Sequence, residues 1–354
     1  MATLATLISQ RRAVPDDARG SPYFYDGNIL LVTHDAAFKS YRGLLISKAN
    51  WFASTVAGMN DDSVDVVENC PIIPMEDSSQ DLSYFLEALL DETGSHFPFE
   101  SLSDFYALAG ALRLATKYGA EEVRTNAIAT LERRYPTTLS GWDRIRSYSA
   151  GCAPWECDRV LIINLAREVE AFSILPSAMA MLTNDSSAGE VFGVPLHPFT
   201  PRRTLSPHSR LNPDDERGFA LMKEFNHVSI VLMLKFIRSV GAGCKRPPER
   251  TPANAGRAPV GASTLRPRAS QCKQTFKEIA AGLLELLVLE NPVGYADFVG
   301  SVDRVMQDRE RVCRVCWQDF RAGYVKRRQS WWEEVPRVLG FSGWGDDRLQ
   351  PVEG

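Results

Sequence analysis

The chain has 354 residues, 44% of them hydrophobic and 24% charged, which is enough for two domains with a core each. Its net charge of −4 excludes a chain-wide electrostatic footprint for nucleic acid. No run reaches the ~20 apolar residues of a membrane span, since Glu285 breaks Ile279–Leu289 and Lys235 breaks Ile230–Ile237.

The order of elements starts after residues 1–22, which read as a disordered tail; its acid-poor start, MATLATLISQRR, leaves a mitochondrial-targeting reading open as a minor alternative. Asn28–Thr33 is a strand-like run behind the turn dipeptide Asp26-Gly27, and Ala37–Tyr41 alternates as the second arm of a hairpin. Val64-Asp65-Val66 alternates again. Pro71–Met75 is apolar but bounded by prolines, so the pattern predicts a strand that is short or lies at an edge.

Three helices follow. The first opens at Asp77-Ser78-Ser79 and carries Leu82, Phe85, Leu86, Leu89 and Leu90 on one face. The second opens near Ser103-Asp104 and stops at Gly119. The third starts at Glu121-Glu122 and stops at Pro136. Their close spacing predicts helical hairpins. Beyond residue 140 there are no strand signals. A helix is expected from Pro154 as its first residue, with Ile162, Leu165, Ala166 and Val169 as its stripe, and others around 214–238, 273–290 and 301–334, the last ending before Pro336. Two proline-rich stretches, 185–213 and 242–271, lack the apolar residues that offset ordering entropy and are expected to be flexible linkers. Thr200-Pro201 and Ser206-Pro207 in the first of them are candidate phosphate acceptors.

Several stretches of the first half carry a resemblance. Asp26-Gly-Asn-Ile-Leu-Leu-Val, then Phe38-Lys-Ser-Tyr41-Arg42-Gly-Leu-Leu45, then Trp51-Phe52 resemble the opening of a BTB/POZ domain. Pro71–Asp77 with the following leucine-rich helix, Phe105–Tyr118 and Glu121–Leu131 are similar to the rest of it, about 110 residues in all. The family places His where this chain has Tyr41, and Ser where it has Asn50 or a neighbour, so the hydrogen bonds that histidine makes in the core must be supplied by a phenol or lost. In their order, Tyr135–Leu139, Trp142-Asp143, Cys313-x-x-Cys316 and Trp331–Pro336 are similar to fungal BTB proteins with a helical C-terminal region.

The resemblance implies an α+β BTB/POZ domain, a small sheet packed on helices at 23–135, followed by a mostly α-helical region at 136–354. It implies a non-enzymatic protein–protein interaction scaffold that binds protein partners, as a homodimer through an N-terminal element and the first helix. Asp26 and Arg42 are the counterparts of charged-pocket residues at the dimer groove, with Tyr41 beside them; against this stands a turn aspartate and a solvated arginine, with equal weight. One alternative is a substrate adaptor of a cullin-type ubiquitin ligase, with Val66-Val67-Glu68 matching the form of a cullin-gripping element, although it falls in a strand.

Chemistry-bearing motifs are few. No phosphate loop, dinucleotide fingerprint or hydrolase elbow is present, and paired carboxylates such as Asp61-Asp62 sit in loops or first helical turns. No catalytic residues and no cofactor are expected. The seven cysteines form an odd set without framework spacing, which favours the cytoplasm or nucleus. Cys313 and Cys316, read as i and i+3 on a helix, share a face and form the sharpest pair. A zinc site needs two more ligands, and no second CxxC or HxxxH supplies them, so a buried core stripe is the preferred reading and no metal is expected. Arginines between 304 and 328 make a basic helix that offers a second alternative, a transcription-linked regulator touching nucleic acid. Interleaved Asp303, Asp308, Glu310 and Asp319 favour a solvated, salt-bridged face over that contact.

Overall fold

The computed structural model describes residues 4–57, 65–91, 97, 101–149, 159–186, 191–192, 210–244, 269–289, 294–306 and 311–350. The chain divides into two compact units, Met1–Leu175 with Arg348–Gly354, and Pro176–Asp347.

The first unit is built on a four-stranded mixed sheet of order β2-β1-β4-β3. β1 (Ile29–Val32) pairs antiparallel with β2 (Ala37–Ser40) and parallel with β4 (Cys70–Pro74), while β3 (Val66–Val67) pairs antiparallel with β4. All four residues of β1 are buried because both faces of the sheet are covered, which is why the run is uniformly apolar. Ile29 and Leu31 join Phe38, Phe52, Ile73, Phe85 and Leu114 in one core. Leu30 and Val32 join Ile72, Val67 and Ile8 in the other.

Ile8 belongs to α1 (Leu4–Arg11), a helix lying where the sequence reads as a disordered tail. It is fully buried against the second face of the sheet, and that tertiary contact outweighs the weak local signal. β4 is neither short nor at an edge: with five residues it is the longest of the four strands, and it lies between β1 and β3. The prolines fall where no ladder donor is needed: Ile72 and Met75 supply the N–H groups, to Asp65 and Val32 carbonyls.

α2 (Arg42–Lys48) and α3 (Asn50–Ala57) follow β2, and α4 (Ser79–Leu90) follows β4. α4 starts at the Ser78 cap, whose side chain accepts from the Asp81 N–H. It packs as a hairpin on α5 (Leu102–Tyr118), and α5 on α6 (Glu121–Arg134). A reciprocal Ser101/Asp104 capping box opens α5, and Gly119 at φ 66 closes it.

The unit does not end near residue 135. Beyond α7 (Leu139–Ser149), α8 (Arg159–Glu168) and the turn after it are tied back. Arg113 bridges to Glu168, the buried Arg124 donates to the Val169 carbonyl, and Ser173 donates to Glu132. The compact unit that contains residues 23–135 runs on to Leu175.

The second unit is helical throughout its described residues: the rest of α9 (Leu175–Asp185), α10 (Pro213–Ser239), α11 (Ala269–Leu289), α12 (Tyr295–Val305) and α13 (Arg314–Val338). α10 packs against α11, α12 and α13. Asn226 sits at its centre, donating to Thr183 and accepting from the Trp331 indole. Phe320 is flanked by Phe236, Phe276, Trp317 and Tyr324. The predicted helix over 301–334 is two helices, and the second runs on through Pro336. The linker expected at 185–213 falls mostly, and that at 242–271 largely, outside the described residues. Cys244 and Ala269 flank the undescribed part of the second. Among the described residues no helix is long and apolar enough to cross a membrane.

Candidate functional site

The residues singled out in the first unit are brought close to one another only in part. Tyr41 is the residue before α2, and its hydroxyl donates to Asp26 Oδ1 at 2.8 Å, while its ring lies 4.8 Å from that of Phe24. The carboxylate pushes the Tyr41 pKa up through that bond. The bond is exposed rather than in the core. Asp26 and Arg42 form no ion pair among the described residues. Arg42 contributes instead its backbone N–H, which donates to the Asn28 side chain at 2.7 Å and helps start α2.

Glu68 does not lie in a strand. β3 stops at Val67, and Glu68 and Asn69, with φ of 50 and 61, form the two-residue turn into β4. The Glu68 side chain turns inward, accepting from the Val14 N–H at 3.1 Å, from the Tyr23 hydroxyl at 3.0 Å and from Lys39 Nζ at 3.4 Å. Burial alone would raise its pKa. The Val14, Tyr23 and Lys39 hydrogen bonds and the Lys39 charge outweigh burial and hold it below the usual carboxylate range. The same burial and contact push Tyr23 up to about 12. Glu68 therefore knits the segment before β1 to the sheet, and Val66 beside it is the exposed member of β3.

The second unit holds a cluster of sulfurs that the sequence assembled only by half. Four cysteines, Cys244, Cys272, Cys313 and Cys316, have their Sγ atoms all within 4.8 Å of one another. Three are buried, Cys244 is partly exposed, and none is in a disulfide. They come from three separate places: the turn after α10, the first turns of α11, and the start of α13. Cys313 is the residue before α13 rather than a member of its surface, and its Sγ accepts the Cys316 N–H at 3.5 Å. Its own N–H donates to Cys272 Sγ at 3.3 Å, and its Sγ lies 3.8 Å from that of Cys244. Gly241 permits the approach. It has φ 79, and a Cβ there would stand 3.0 Å from the Lys273 backbone nitrogen.

Burial would raise the pKa of Cys313, but the Cys316 amide and the neighbouring thiols outweigh it and hold it low. Cys272 and Cys316 are pushed up, first by burial and then by the neighbouring sulfurs. The stripe expected around Cys313 and Cys316 is thus buried, but it faces sulfur as well as apolar side chains. A shallow pocket lined by Gly241, Gly243, Cys244, Arg314, Val315 and Asp319 opens onto the cluster.

Some basic residues in and around α13 have partners within its own unit. Arg311 bridges to Glu278, Arg337 to Glu334, and Arg327 lies over the Phe236 ring at 3.8 Å. Comparison of the chain with protein-family models, with curated proteins and with solved structures returned no match in any of the three.

Proposed function

We propose that this chain is a non-enzymatic protein-interaction scaffold whose first unit is a BTB/POZ-type dimerisation domain. The observation that carries the reading is the order of elements along the first unit. An antiparallel hairpin, two short helices, a strand returning parallel to the first and then stacked helices follow one another as the resemblance requires.

Association would use the N-terminal segment and α2, the helix after the hairpin, on which Ile46 is 37% exposed. The adaptor alternative is weaker than the scaffold reading, because Glu68, the acid of the presumed cullin-gripping element, is already held by Lys39, Tyr23 and Val14. Arg311, bridged to Glu278, and Arg327, held over the Phe236 ring, weigh against a nucleic-acid surface in the same way.

The test is the solution mass of the full chain by light scattering through a dilution series. A dimer that Ile46→Asp dissociates, with the helical signal of the protein unchanged, is the expected outcome. A wild-type chain that is a folded monomer at every concentration would sink the dimer scaffold.

A further inference from the structure

We propose that Cys244, Cys272, Cys313 and Cys316 form a zinc site that staples the second unit. The inference is independent of the scaffold reading, which concerns the first unit alone. Its warrant is geometric. Four thiolates at about 2.3 Å from a tetrahedral zinc stand about 3.8 Å from one another. The Cys244–Cys313 separation is 3.8 Å, and the widest pair in the cluster is 4.8 Å. A small inward movement of side chains closes the tetrahedron without moving a helix.

Three further observations separate this site from a chance packing of small hydrophobes. The sulfurs already receive backbone donors, the Cys313 N–H on Cys272 and the Cys316 N–H on Cys313, which is the supporting shell that thiolate ligands need. The Cys-x-x-Cys pair sits at the start of a helix, where free N–H groups favour negative sulfur. The set is all sulfur, the donor chemistry that selects zinc over hard cations such as magnesium or calcium. A disulfide would need two sulfurs at about 2.05 Å and would leave the other two without a role.

Binding releases protons rather than electrons. Zinc(II) and four thiols give a tetrathiolate of charge −2 and four protons. Arg314 lines the pocket and can offset part of that charge, with Asp319 opposing it. The mechanical consequence is a tie among the turn after α10, the start of α11 and the start of α13. Cys244 and Cys313 are 69 residues apart and Cys272 and Cys313 are 41 apart, so closing these loops restricts the unfolded chain.

The test is the metal content of the full chain, expressed with zinc in the medium and purified reduced and without chelator. One zinc per chain is expected by elemental mass spectrometry, and cobalt(II) in its place should give the absorption of a tetrahedral thiolate complex. Cys244→Ser changes the most exposed ligand and leaves the helices packed; it should lower affinity at least about tenfold in a chelator competition. Cys70→Ser, a buried thiol of the first unit, should keep the wild-type content. A reduced wild-type chain that holds no zinc and takes up none would overturn the proposal. So would iron in place of zinc, a native disulfide within the cluster, or a C244S chain with undiminished affinity.

Discussion

Glu68 concentrates three donors on one carboxylate, from a backbone amide, a phenol and an ammonium whose side chain is only 8% exposed. Glu68→Gln keeps the shape but removes the charge that holds Lys39, and should cost about 1–3 kcal/mol in urea unfolding near neutral pH. The direction with pH follows from its lowered pKa. A carboxyl with a folded value below its unfolded one of about 4.3 contributes fully above that value and loses its contribution as pH falls through the folded one. The gap between wild type and E68Q should therefore narrow in acid. A gap that stays constant from neutral to pH about 3 would show that the carboxylate charge is not what stabilises the turn. The strained φ of Glu68 is tolerable for the same reason: its side chain is fixed by partners outside the turn. Nothing in Val66-Val67-Glu68 announces this, because the partners Val14 and Tyr23 lie some fifty residues earlier. The cysteines show the same limit. Cys313-x-x-Cys316 was legible as a pair, whereas Cys244 and Cys272 are single residues at the two ends of an arginine- and proline-rich stretch and carry no spacing signal of their own.

At the scale of elements, local pattern and tertiary context divide the credit. The hairpin β1–β2 and the helices α4, α5, α6, α10 and α11 follow from apolar periodicity, caps and stops that lie within each segment. α1 and the far end of α13 do not. Pro336 lacks the N–H that would donate to the Trp332 carbonyl, which is why the sequence predicts a stop before it. The helix continues because the Trp344 indole donates to that same carbonyl at 2.8 Å, its ring stacking on Trp332 at 4.8 Å. An orphaned acceptor is satisfied from outside the helix. Trp344→Phe keeps an aromatic ring on Trp332 but removes the donor, and should destabilise the second unit by about 1–3 kcal/mol. In a Pro336→Ala background a backbone N–H can reach the Trp332 carbonyl, so the same substitution should cost much less there. Equal costs in the two backgrounds, measured as a double-mutant cycle, would assign the effect to ring packing instead.

Each unit of the whole molecule has its own core, and the two polar devices described, the Glu68 knot and the sulfur cluster, belong to different units. Perturbations more than about 10 Å apart without shared partners are expected to act independently. Hydrogen exchange on the full chain can resolve this by segment. Stripping metal with a chelator should speed exchange in the first turns of α11 and α13 and in the Gly241–Cys244 turn, where the cluster's backbone donors lie, and leave β1–β4 unchanged. E68Q should do the reverse, loosening α1, β3 and β4 while α10–α13 keep their protection. The helical half would then be held together by metal and aromatic packing, while the sheet unit depends on its own buried carboxylate. Faster exchange across both units after chelation alone would mean that the chain unfolds as a single cooperative body, and the division at Leu175 would describe geometry without describing stability.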